Sequence, residues 1–302
     1  MKVDINLENN KSEKLKNLLV LVNNSDISSI KSTVSELVRL INDPKSSAKD
    51  LKKVVELDPP LTAKLLKLAN SAYYGFPRTI GDIQEAVVCI GFETLKELAL
   101  SQKVCQLFNQ VDTFAGYSRA LLWKHSVAVA LCGKLIFTGE LNERAGNIYV
   151  AGLLHDMGII VEDQFLLGEF FNILVGTDSS KKNFPEIERS VLGFDHSDIG
   201  RVIADDWKFP SELSTALDNH HTPDMVDDED AILTSILYIS DFMCQGKTIG
   251  FCDAPNLDYQ LFEKCRKRLN RLANANINER CLDLIIQEVE KDIIEMEKSG
   301  WF

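Results

Sequence analysis

Apolar residues recur at helical spacing along nearly the whole chain, and no sustained alternation of period two breaks the pattern. Leu51, Val54, Val55, Leu61, Leu65, Leu66 and Leu68 form one such stripe. This spacing predicts an all-α protein of on the order of a dozen helices of ordinary length. Asp58 and Pro59 mark a helix start, with Gly75 placed to end that segment. Residues 81–102 read as helix, a Gly91 turn and a second helix, and a long helix carries "RALLWKHSVAVALCGKLI" at 119–136. The pattern relaxes around Asp112 to Tyr117, where a boundary between two lobes is expected. Loops are predicted at 176–185, 222–230 and 246–256. Residues 257–298 read as two amphipathic helices, whose apolar faces suit core packing better than a dimer seam. Residues 1–15 are polar and uncapped and are expected to form a loose tail.

Composition narrows the class. The chain has 302 residues, 45% hydrophobic and 26% charged, which suits an ordinary globular protein. A formal charge of −12 would repel a phosphate backbone, so no nucleic-acid partner is expected. Helix, glycine, helix around Gly91 is also how a DNA-reading helix pair can look, but Lys96 is the single base its second helix offers before residue 102. Seven cysteines stand singly with no CxxC pair and read as reduced core residues. No signal peptide and no membrane span are apparent, so a cytoplasmic location is expected. Monomer and dimer stay equally open.

The chemistry concentrates in five histidines, His125, His155, His196, His220 and His221, all within one stretch of about 100 residues. Taken singly, each has an ordinary explanation as a hydrogen-bonded core residue or a helix-end residue. Two aspartates change the weighing. Asp156 in "LLHDMGII" and Asp241 in "LYISDFMC" sit in apolar runs without a nearby lysine or arginine. A buried carboxylate needs a partner, and a divalent metal shared with neutral imidazoles would satisfy both.

The order His125, His155–Asp156, Asp241 resembles the H…HD…D signature of the HD superfamily of metal-dependent phosphohydrolases. His196 and His220–His221 make it similar to the extended, two-metal form. The segments "DPPLTAKLLKLANSAYYG", "IQEAVVCIGFETLKELAL", "LLWKHSVAVA", "AGLLHDMGII", "LGFDHSDIGRVIADDW" and "ALDNHH" resemble the HDOD domain, the HD-related output domain of bacterial signalling proteins, over residues 16–245. The resemblance implies an HD-like helical bundle (113–245), an N-terminal helical lobe packed against it (16–112) and a C-terminal helical extension (246–302). It implies one metal on His125, His155, Asp156 and Asp241, and a second on His196, His220 and His221, with Asp156 bridging and central to any catalysis. Nitrogen and oxygen donors without thiolate suit Fe or Mn, with Ni or Zn possible.

Three departures bear on activity. No Gly-Tyr-Pro turn follows the paired histidines, Ile159 stands where related cyclic-dinucleotide phosphodiesterases carry a phosphate-contacting lysine, and Leu121 stands where trinuclear relatives carry a glutamate. The implied function is therefore a signal-transduction module with a metal site, acting through a signalling protein partner or a small phosphorylated ligand. The alternative is an active phosphohydrolase on a nucleotide or phosphate ester, with Lys124, Arg201 or Arg119 as substrate contacts.

Overall fold

The computed structural model describes residues 2–71, 73–109, 113–114, 116–141, 146–179, 182–251 and 256–298. Asp112 and Cys252 lie outside the described residues, and the other six cysteines are free thiols. The chain is all-α, as the spacing predicts. It runs α1 (Lys2–Asn23), α2 (Lys31–Asn42), α3 (Ala48–Glu56), α4 (Pro59–Ala69), α5 (Ile83–Ile90) and α6 (Phe92–Val104). A two-residue antiparallel ribbon, β1 (Thr113–Phe114) with β2 (Tyr117–Ser118), follows. Then come α7 (Arg119–Leu135), α8 (Gly146–Leu154), α9 (Met157–Phe165), α10 (Leu167–Ser179), α11 (Phe184–Leu192) and α12 (His196–Asp206). The last four are α13 (Ser211–Asp218), α14 (Ala231–Gly246), α15 (Tyr259–Ala273) and α16 (Glu279–Lys298).

Local rules account for several boundaries. Asp58 caps α4 by accepting from Leu61 N at 3.1 Å, and its carboxylate also holds Lys103 at 2.6 Å. The helix ends at Ala69 rather than reaching Gly75, because the Asn70 side chain accepts from Ile80 N and donates to Ile80 O, which folds the following segment back. Gly91 has φ +97°, a conformation that favours glycine, and joins α5 to α6. Lys96 is buried, bonding to Leu40 O and pairing with Glu93.

Residues 2–15 of the expected loose tail lie in a helix. α1 begins at Lys2, and its later turns are anchored: Leu15, Leu18 and Val22 are buried, Lys11 pairs with Asp198 at 2.6 Å, and Lys14 bonds to Leu192 O.

α2 packs on α6 and α3, and α2 and α6 both reach α8, which joins the N-terminal helices to the rest. α7 lies at the centre, against α8, α14 and α16. With its following π turn it spans Arg119–Glu140, long and apolar enough to cross a membrane by length and composition, a window the sequence reading did not foresee. Yet 61% of that window is buried inside the protein, which is how a core helix looks. Leu282, Ile285, Ile286, Val289, Ile293 and Met296 turn the inner face of α16 into the core, so the extension serves packing.

Candidate metal centre

The seven residues singled out in the sequence converge, carried on five elements. His125 lies in α7, His155 and Asp156 form the junction between α8 and α9, His196 opens α12, His220 and His221 follow α13, and Asp241 lies in α14. Two glycines of "AGLLHDMG" allow the approach. A Cβ on Gly152 would lie 2.4 Å from Ala130 Cα, so glycine lets α8 close on α7. A Cβ on Gly158 would lie 2.1 Å from His196 O, so glycine lets the start of α9 meet the start of α12. The first contact brings His155 to His125 and the second brings Asp156 to His196.

Asp156 occupies the middle. Its Oδ2 lies 3.1 Å from His155 Nε2 and 3.9 Å from His125 Nε2, and its Oδ1 lies 3.4 Å from His196 Nε2 and 3.8 Å from His220 Nε2. Asp241 Oδ1 is 3.0 Å from His125 Nε2, and Gln245 Nε2 donates to the same carboxylate. His221 Nε2 is 2.8 Å from His196 Nε2, which is 3.3 Å from His220 Nε2. Two sets, His125–His155–Asp156 and His196–His220–His221, each gather their ligand atoms within 4.8 Å of one another.

The tautomers follow from the partners. His125 Nδ1 faces Ile249 O, His155 Nδ1 faces Gly152 O, and His220 Nδ1 faces Leu217 O, at 3.2, 2.9 and 2.7 Å. A carbonyl only accepts, so each Nδ1 carries the proton. In the neutral rings the Nε2 lone pairs then converge on Asp156, Asp241 and each other, acceptor against acceptor. His155 Nε2 and Asp156 Oδ1 are buried without a hydrogen-bond partner. Orphaned buried acceptors in such number are costly, and a shared cation relieves them together. The donor set therefore fits a divalent metal.

Sequence reasoning missed a second layer. Glu188, on α11, reaches His196 Nδ1 with both oxygens, at 2.9 and 2.8 Å, and also accepts from His196 N. Glu162, on α9, lies behind it, its carboxyl facing Glu188 and neither oxygen meeting a donor. Both are fully buried. The signal was present for Glu162, an acid inside the apolar run "GIIVEDQF". Glu188 was hidden among the polar residues of an amphipathic helix.

Charges sort accordingly in the metal-free chain. Burial works against ionising Asp156, but His155 and His196 outweigh it and hold its carboxyl well below the usual range. Burial likewise opposes the charged forms of His155 and His196, and is overcome by Asp156 for the first and by Glu188 with Asp156 for the second, raising both. His220 is pushed down to about 4 by burial and by His155 and His196. Burial and Glu188 drive Glu162 well above the carboxylate range.

A cleft of about 180 Å³ opens onto the cluster at His221 and Asp241. Its walls include Asn183, Arg189, Tyr238, Phe242 and Gln245. Arg189 is its cation among the described residues, and it is paired with Asp195. Of the bases proposed as substrate contacts, Lys124 pairs with Glu297, Arg201 with Asp205 and Asp218, and Arg119 with Asp163, and none lines the cleft. Ile159 is fully buried.

Comparison with known proteins places this arrangement. The HDOD domain family matches residues 27–223. The chain belongs to the HDOD family. The HDOD match stops short of Asp241, which the fold nonetheless brings to His125. An HDOD domain protein of unknown function from Geobacter sulfurreducens is 27% identical, with a TM-score of 0.75 over 88% of this chain and 89% of its own. A candidate phosphohydrolase from Shewanella amazonensis SB2B (23% identity, TM-score 0.64, 89% of this chain, 93% of its own) shares the HDOD fold. So does a candidate signal transduction protein from Marinobacter aquaeolei VT8 (20%, 0.60, 86% of this chain, 59% of its own). An uncharacterised protein of Treponema pallidum (strain Nichols) is 26% identical over 199 residues, 65% of this chain, and the match spans 38% of that relative.

Proposed function

We propose that this HDOD chain is a regulatory module of cytoplasmic signalling, holding one or two divalent transition-metal ions and acting through a protein partner or a small phosphorylated ligand. His125, His155, Asp156 and Asp241 would hold one ion, and Asp156, His196, His220 and His221 the other. Fe or Mn suits these donors best, then Ni or Zn. A bound ion would supply Lewis acidity toward a phosphate oxygen.

The observation that carries the regulatory reading is the cleft. Its guanidinium is already engaged by Asp195, and the position of the missing phosphate-contact lysine is a buried isoleucine. A phosphate entering there gains little charge-assisted bonding from side chains. The second reading, a phosphohydrolase, is favoured by one feature: the cleft is lined in part by His221 and Asp241. Hydrolysis assays on a panel of nucleotides and aryl phosphates, with protein loaded with Mn or Fe, separate the two. The regulatory reading predicts no turnover. Turnover that vanishes in Asp156→Ala would replace it with the second reading.

A further inference from the structure

Of the four fully buried histidines, three have Nδ1 held by a main-chain carbonyl, and His196 alone has a carboxylate there. Helix geometry suffices to aim His155 and His220, each bonded to the residue three positions earlier. His196 opens a helix, and the residues just before it offer no such carbonyl. Its ring and its backbone N–H both depend on Glu188, eight residues away. Among the described residues Glu188 has no lysine or arginine beside it, and its partner is His196. Behind it lies another fully buried carboxyl, Glu162.

We propose that Glu188 is a positioning residue that sets His196 and so builds the second metal position, the one formed with His220 and His221. Glu188 accepts from His196 Nδ1 and from His196 N. This fixes the His196 tautomer with Nε2 toward Asp156 and gives this ligand more donor strength than a carbonyl partner would. The first position, at His125 and His155, has main-chain carbonyls at both Nδ1 atoms and does not depend on Glu188. The two positions are therefore unequal by construction. This inference rests on the metal-binding reading for its consequence, although the arrangement itself exists without metal.

The test is a calorimetric titration of the metal-stripped full chain with Mn²⁺, run on the parent and on Glu188→Ala, Glu188→Gln and Glu162→Gln, alongside proton NMR of the metal-free forms. Glu188→Ala is expected to weaken one equivalent by about 10- to 100-fold and leave the other unchanged. Glu188→Gln keeps one acceptor and should fall between parent and Glu188→Ala, which guards against a folding defect in the alanine variant. Glu162→Gln leaves the Glu188–His196 contact in place and should match the parent. Weakening of both equivalents alike, or of neither, in Glu188→Ala overturns the proposal. So does a single equivalent that Glu188→Ala leaves intact. If the parent binds no metal, the metal reading fails separately, and the NMR decides the positioning. An exchange-protected low-field His196 Nδ1–H present in the parent and Glu162→Gln and lost in Glu188→Ala supports it, and an unchanged signal in Glu188→Ala overturns it.

Discussion

α7 and α14, apolar nearly all round, and α15 and α16, amphipathic with charged outer faces, pack directly on one another yet do different work. α7 and α14 bury His125 and Asp241 among protein, so these polar side chains have no solvent to retreat to and must be satisfied from within. In α16 the polar residues face water, and the apolar row from Leu282 to Met296 simply covers α7. Position on the hydrophobic pattern therefore separates residues held for chemistry from residues held for packing.

The sharpest break of this contrast is at the helix contacts that assemble the centre. Gly158→Ala drives a Cβ into His196 O, backbone against backbone, and should cost about 3 kcal/mol or more by thermal unfolding, with loss of bound metal. Val289→Ala, in the fully buried row of α16, should cost about 2 kcal/mol yet leave metal content at the parent level. Parent-like stability of the first, or metal loss in the second, would erase the distinction.

The next effect depends on pH. Asp156 and Glu188 raise the affinity of His155 and His196 for protons above the ordinary 6.5, while His220 stays neutral down to about 4. A metal must displace those two protons, so its affinity falls as pH drops through the raised values, at and above pH 6.5. Chelator challenge should strip the ion more readily at pH 6 than at pH 8, and proton uptake should accompany its release. Equal retention at both values would contradict the assignment of His155 and His196 as ligands. The smallest effect belongs to the outer face of α16, where exposed Leu284→Ser should change stability by no more than about 0.5 kcal/mol.

Much of this was legible in the sequence, for a physical reason. His155 and Asp156 interrupt an apolar run, and an interruption in a buried helix is conspicuous. Asp241 stood out the same way, even beyond the reach of the HDOD family match. Glu188 did not, because α11 is amphipathic and an acid on such a helix looks solvated until packing buries it. The helix around Lys11 and Lys14 was not legible either, because the partners these side chains reach, Asp198 and Leu192, lie far away in sequence. Nor could spacing disclose that Arg119, Lys124 and Arg201 spend their charges on Asp163, Glu297 and Asp205 instead of on a ligand.

The most direct test of the central claim, that these seven side chains converge because they hold metal, is elemental analysis by inductively coupled plasma mass spectrometry. Untagged protein prepared both aerobically and anaerobically would be compared with His155→Ala and Asp241→Ala. The account predicts one or two equivalents of a transition metal in the parent and their loss or reduction in both variants. A parent free of metal under both preparations would contradict it and leave the cluster as a hydrogen-bonded polar core.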